Sequence, residues 1–231
     1  MNPIWEGLQE AFRLIANLDP ELLRILVVSL EVSGLAIVVG MLIGVPLGVF
    51  LGSRHFPGRN VLITLVNTGM GLPPVVVGLF IFLLLARSGP LGDLNLLYTP
   101  AAMVIAQVVI ATPLVVGVTL AGIQGLDEKL RLQILSLGAS PFQYYWKLIR
   151  EARLTLLAAL AAGFGSIVSE VGAVMMVGGN IAGQTRVMTT AIVLETRQGN
   201  FSMAIALSLI LLLLALLINW LFTWVQQRKS A

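Results

Sequence analysis

Residues 127–153 read DEKLRLQILSLGASPFQYYWKLIREAR, and they separate two stretches almost without charge. Upstream, residues 94–126 give 33 positions with no Asp, Glu, Lys or Arg. Downstream, residues 154–185 give 32 with the single interruption of Glu170. Three more uncharged runs cover 32–53, 60–86 and 198–227. About 20 apolar residues in a helix cross the hydrocarbon core of a bilayer. The runs therefore predict an all-α membrane protein with five transmembrane helices, near 25–51, 61–86, 100–123, 154–178 and 203–225. A β-barrel would alternate apolar and polar positions. Residues 210–214 (ILLLL) are apolar on every face instead.

Composition agrees. Hydrophobic residues make up 58% of the 231 and charged residues 11%, against roughly 25% charged in soluble globular chains. The mean hydropathy is +0.96. Such a chain lacks the charge to cover a soluble surface. Cysteine is absent and His55 is the single histidine, so neither thiolate chemistry nor a metal cluster is expected. No glycine-rich loop ends in a lysine, which excludes a Walker A nucleotide site on this chain. Gly163-Phe164-Gly165-Ser166 resembles a serine-protease setting only superficially. A serine nucleophile needs a base, and the histidine and all three lysines lie outside the spans. Small residues for close helix packing are the better reading.

Five spans place the ends of the chain on opposite sides. With the N-terminus outside, the inner segments carry nine cations: Arg54, Arg59, Lys129, Arg131, Lys147, Arg150, Arg153, Arg228 and Lys229. The outer segments carry five: Arg13, Arg24, Arg87, Arg186 and Arg197. Lys and Arg concentrate in cytoplasmic loops, so the expectation is an inner-membrane protein with the N-terminus out and the C-terminus in. Ile4, Leu8, Phe12 and Ile15 recur at helical spacing, with Trp5 beside them. Residues 1–20 are therefore expected to hold an amphipathic helix on the outer membrane surface, ahead of a membrane domain over 21–231. No basic stretch leading into an apolar core and a cleavage site heads the sequence, so no cleavable signal peptide is expected.

The 126–153 loop is too amphipathic to be disordered and too polar to span. Leu130, Ile134 and Leu137 are helically spaced, and Gly138 ends that run. Ser140 and Pro141 suit the N-cap and first position of a second helix. The loop thus reads as two short helices broken at Gly138-Ala139.

Leu137-Gly138-Ala139-Ser140, with a helix on each side and a span following, resembles the coupling loop of bacterial ABC importer permeases. That family's loop runs Glu-Ala-Ala, three residues, Gly, nine residues, Ile, one residue, Leu-Pro. Gly138 occupies the glycine and Leu148 the isoleucine; Leu132-Gln133-Ile134 replaces Glu-Ala-Ala, and Arg150-Glu151 replaces Leu-Pro. Gly71-Leu72-Pro73-Pro74-Val75-Val76-Val77-Gly78 is similar to a segment of the oxyanion branch, as are Glu170-Val171-Gly172-Ala173 and Gly178-Gly179-Asn180-Ile181. Thr185 to Ile192 looks closer to the tungstate type than to the molybdate type. The resemblance implies a type I ABC importer permease fold and a homodimeric channel. It implies an extracytoplasmic tungstate-binding protein and two ATP-binding subunits that carry the ATP and Mg, leaving this chain without a cofactor, a catalytic residue or a nucleic-acid partner. It also implies that Leu137, Gly138, Ala139, Ser140 and Pro141 couple the chain to the ATPase.

An anion pathway calls for hydroxyls, amides and small residues. Within the spans, Asn67, Thr68, Gln107, Thr112, Ser166 and Ser169 qualify, each equally suited to a helix–helix hydrogen bond. Pro73 and Pro74 should break the second span, and Pro113 the third. A broken helix at membrane depth lines a cavity or is packed in protein. Met70, Leu72 and Val75 are then candidates for an apolar gate. Glu170 would repel a dianion, and a central carboxylate costs roughly 2.5–3.5 kcal/mol on insertion scales. Its expected role is structural, neutralised by an arginine, a proton or helix-end amides. A membrane anchor without a conducted substrate needs neither an ordered loop nor a broken span. A secondary carrier would show an inverted repeat, and none is evident.

The topology is checked by introducing Ser136→Cys and Gln198→Cys separately into this cysteine-free chain. An impermeant thiol reagent added outside is expected to label position 198 and spare 136; the reverse pattern inverts the orientation.

Overall fold

The computed structural model describes residues 3–17 and 19–228. Eleven α-helices and no strand occur among them. In order they are α1 (Pro3–Ala16), α2 (Pro20–Ser53), α3 (Arg59–Met70), α4 (Pro74–Leu85), α5 (Pro100–Gln124), α6 (Glu128–Ser136), α7 (Pro141–Glu151), α8 (Arg153–Val168), α9 (Gly172–Gly178), α10 (Met188–Arg197) and α11 (Phe201–Arg228). Among the described residues, α2, α5 and α11 are each long and apolar enough to cross a bilayer unaided. Met1, Asn2 and Leu18 of the expected 1–20 segment and Lys229 of the cation count lie outside the described residues.

Local chemistry sets the long helices. Asp19 caps α2, its carboxylate accepting from the Leu22 amide at 2.9 Å, and Pro20 occupies the first turn. Thr99 caps α5, accepting from Ala102 at 3.4 Å, with Pro100 following. Both prolines sit where an amide donor would have no intrahelical partner.

The centre of the bundle is the α2–α5 pair, which runs parallel. Gly40, Gly44, Gly48 and Gly52 form one face of α2, and a Cβ on them would meet Ala111, Val115, Thr119 and Ile123 of α5 in turn. At Gly48 that Cβ would lie 2.6 Å from the Thr119 Cβ and 2.8 Å from the Val116 carbonyl oxygen. Helices meet this closely only over residues without side chains. Around the pair, Gly163 of α8 fits over Ile37 and Val115, and Gly178 at the end of α9 fits over Met103. A separate apolar cluster of Leu14, Leu22, Ile25, Met188, Ala191, Ala206 and Leu207 joins α1, α10 and α11 to the start of α2.

Two expectations are corrected. Pro113 does not break the third span: α5 is continuous through it. The proline is clasped by α3, where a Cβ on Gly69 would lie 2.9 Å away, and its neighbours Ala111 and Val115 are fully buried. Packing on both sides holds the axis where the missing hydrogen bond does not. The span expected over 154–178 is not one helix; it divides into α8 and α9 at Ser169-Glu170-Val171, so Glu170 sits at a helix break. The second span does part at Gly71-Leu72-Pro73, and α3 and α4 bend by 100° there. As for the N-terminal segment, α1 lies along the first half of α11, with Gly7 pressed against Ile205 and Leu14 buried.

Gly48→Ala is expected to lower stability by about 1–3 kcal/mol through overpacking, read as a lower melting temperature of the detergent-solubilised chain. Gly34→Ala should not, because a Cβ at Gly34 meets nothing within 4 Å.

Candidate translocation pathway and coupling surface

The α6–α7 loop is built from caps inward. Asp127 caps α6 through the Lys129 amide at 2.9 Å. At the other end the Gly138 amide donates to the Leu135 carbonyl at 3.0 Å and the Ala139 amide to Ile134 at 3.4 Å. Gly138 takes φ +71°, and a Cβ there would meet nothing within 4 Å. The glycine is needed for its left-handed backbone, which L side chains adopt at a cost. Ser140 then opens α7 with a reciprocal capping box: its amide donates to Gln143 Oε1 at 2.8 Å, and its Oγ accepts from the Gln143 amide at 3.4 Å. Pro141 fills the first position.

Underneath, the loop is fastened to the spans. Ile134 and the fully buried Leu148 pack with Ile123 of α5 and Val49 of α2. Arg54, just past α2, donates from Nε to the Tyr145 hydroxyl at 2.7 Å. Arg131 donates to the Ile123 carbonyl at the end of α5. The outward side is apolar instead of charged. Leu137 is 86% exposed and Phe142 77%, with Leu132 and Leu135 exposed beside them. Such a patch on an anchored loop is the signature of a protein contact. Leu137, Gly138, Ala139, Ser140 and Pro141 all lie at its apex.

The helix breaks meet each other. Val75 in the first turn of α4 packs on Gly172 in the first turn of α9, and Gly78 on Ala173. The freed backbone groups at the α8–α9 break find partners. Glu170 Oε1 accepts from the Ala173 amide at 2.9 Å, so this carboxylate meets helix-end amides. The Glu170 carbonyl accepts from Thr189 Oγ1 at 2.9 Å, and the Ile167 carbonyl from Gln107 Nε2 at 3.0 Å. Gln107 is buried in α5, and its Oε1 has no partner among the described residues.

The remaining candidates scatter. Thr68 is exposed on α3 and bonds back to the Thr64 carbonyl at 2.8 Å. Met70 presses its sulfur against Gly117 of α5, away from the α4–α9 contact. Leu72 and Pro73 are exposed at the bend. Ser166 stands on the open face of α8, and Ser169 bonds back to Gly165 at 2.9 Å. Thr112 is likewise turned to its own helix, onto Val108 at 2.6 Å. Sequence reasoning missed Thr189 and Thr185. Thr185, wholly buried, donates to the Gly178 carbonyl and accepts from the Ile181 amide at 2.9 Å, closing the α9–α10 connection.

Known proteins share this plan. The family of binding-protein-dependent transport system inner membrane components matches over residues 44–231. The "probable anion ABC transporter permease protein" of Haloferax volcanii is 42% identical, covering 86% of this chain and 88% of the relative. The tungstate uptake system permease protein TupB of Peptoclostridium acidaminophilum is 38% identical over 95% of this chain and 96% of its own. Among solved structures, a bacterial ABC transporter for import of the acidic polysaccharide alginate superposes with a TM-score of 0.77 at 18% identity, covering 92% of this chain and 81% of that one. The MetNI methionine ABC transporter gives 0.72 at 18% identity, covering 90% and 95%. With its five-span helical plan and its helical loop at the spans' end, the chain belongs to the binding-protein-dependent transport system inner membrane components, the permeases of ABC importers.

Proposed function

We propose that this chain is the permease of an importer that passes tungstate from an extracytoplasmic binding protein to the cytoplasm. Two copies form the channel, and two ATP-binding subunits, carrying the ATP and Mg, dock on the α6–α7 loops. The chain itself hydrolyses nothing and lies in the inner membrane with its N-terminus out and the α6–α7 loop in the cytoplasm. One observation carries the reading. The apolar apex around Gly138 is fastened through Leu148, Ile134, Tyr145 and Arg131 to the ends of α2 and α5. A push on that apex reaches the spans without slack. Because α7 leads directly into α8 at a 67° bend, the same push reaches the break at Glu170. Tungstate as the substrate is supported by similarity over nearly the whole chain to TupB of Peptoclostridium acidaminophilum.

The pathway reading assigns its walls to residues at the two helix breaks: Thr68, Met70, Leu72, Pro73 and Pro74 at and before the α3–α4 bend, and Ser166 and Ser169 at the end of α8. Glu170 is not a ligand for the anion: its carboxylate is turned to the Ala173 amide, where it holds the start of α9.

Gly138→Val tests the coupling role. A β-branched residue at φ +71° is strained by about 1–2 kcal/mol, yet it clashes with nothing in this chain. Reconstituted with the ATPase and binding protein, the variant should insert and dimerise normally. It should lose most tungstate uptake per ATP hydrolysed, or lose the ATPase altogether. Gly58→Val, equally strained at φ +86° in the α2–α3 turn, should transport at wild-type stoichiometry. Normal uptake by Gly138→Val would remove the α6–α7 loop from the coupling role.

A further inference from the structure

A trough of about 300 Å³ opens sideways between α2, α7 and α8. Its walls are the half-buried Met41, Leu156, Leu157 and Leu160, and its mouth carries Arg150 and Arg153. Neither arginine belongs to either of the two ion pairs among the described residues, which join Arg13 to Glu10 and Arg186 to Glu21. Lys147 adds a third cation on the same helix as Arg150, and Glu151 is the one acid between the two arginines in sequence. Trp146 also lines the trough, 59% exposed, one helical turn before Arg150 on α7. Tryptophan favours the membrane–water boundary. An apolar slot therefore runs into the hydrocarbon from a doubly cationic mouth at the boundary.

We infer that this trough holds an anionic phospholipid of the leaflet on the α6–α7 side, which is cytoplasmic in the topology proposed above. The phosphate sits between Arg150 and Arg153, and an acyl chain lies along Leu156, Leu157, Leu160 and Met41. Two features choose lipid over a second copy of the chain. The mouth offers positive charge without a counter-ion, which a headgroup phosphate supplies. The slot also sets an apolar wall of Leu156, Leu157, Leu160 and Met41 directly beside that charge, the pairing that an acyl chain and its headgroup present together. A lipid here would touch α7 and α8 together, at the joint between the loop and the fourth span.

Native mass spectrometry of the intact permease–ATPase complex in mild detergent tests the site, with phosphatidylglycerol and phosphatidylcholine of identical acyl chains added back after delipidation. The wild type should retain phosphatidylglycerol in preference by about tenfold or more, given two basic contacts. Arg150→Gln with Arg153→Gln should bring the preference near unity, while Arg150→Lys with Arg153→Lys keeps most of it. Leu157→Trp, which fills the slot and leaves both arginines, should lose the retained lipid. Melting temperatures identify any variant that fails to fold, and the wild-type and lysine forms then decide alone. Equal retention of the two lipids by the wild type would overturn the site. So would an undiminished preference in the glutamine variant, or a Leu157→Trp complex that separates into single copies with its lipid count unchanged.

Discussion

Close contact between α2 and α5 is the constraint on which the other helices depend. In lipid, helices gain little by hiding apolar surface from a solvent that is itself apolar, so association rests on packing. The glycines at 40, 44, 48 and 52 remove side chains from one face of α2, and α5 fills the space with residues from Ala111 to Ile123. Because that pair is continuous and densely packed, α3, α8 and α9 can lean on α5. Even Pro113 is carried inside an unbroken helix. The irregular backbone is left to the flanking elements, where α3 bends into α4 and α8 stops short of α9.

Those irregular segments survive at membrane depth because protein, not lipid, answers their polar groups. Gln107 reaches from α5 to the Ile167 carbonyl near the end of α8, and Thr189 reaches from α10 to the Glu170 carbonyl. The breaks are therefore fixed in place, yet each is held by only a few hydrogen bonds. A joint of this kind can move when the helix entering it is pushed. The helix entering the second joint is α8, which α7 feeds directly.

Much of this was legible. Charge spacing located all five crossing regions, and the order Ser140-Pro141 after Gly138 marked the two-helix loop with its caps. Hydropathy alone could not see that α8 ends at Val168, since Glu170 is answered by a backbone amide only three residues on. Glutamate is not one of the short polar residues that mark a helix N-cap, and the N-cap of α9 is Val171, so the sequence carried no start signal there. The proline at 113 misled for a physical reason: its cost depends on how firmly neighbours hold the helix, which one sequence does not display. The four-residue glycine spacing from 40 to 52 was present in the sequence and is a recognised packing signal. Its partner face on α5 was not, because Ala111, Val115, Thr119 and Ile123 share no composition. Among the candidate residues, Thr68, Thr112 and Ser169 turn their hydroxyls to carbonyls of their own helices, an arrangement that residue type alone does not display.

The glycine face has a bearing on register. Its notches recur every four residues and so do the opposing residues, so sliding α5 by one turn, about 5.4 Å, would again set side chains over notches. Two combs of equal pitch do not choose their own alignment. Here the choice falls to what lies at their ends. A slide in one direction would bring Gln107 to the place Ala111 holds against Gly40, taking its side-chain amide away from the Ile167 carbonyl. A slide in the other would carry Ile123 back to the place Thr119 holds against Gly48 and pull it from under Leu148. The alignment of the central helices is thus latched from both ends, at one by an amide and at the other by the foot of the loop.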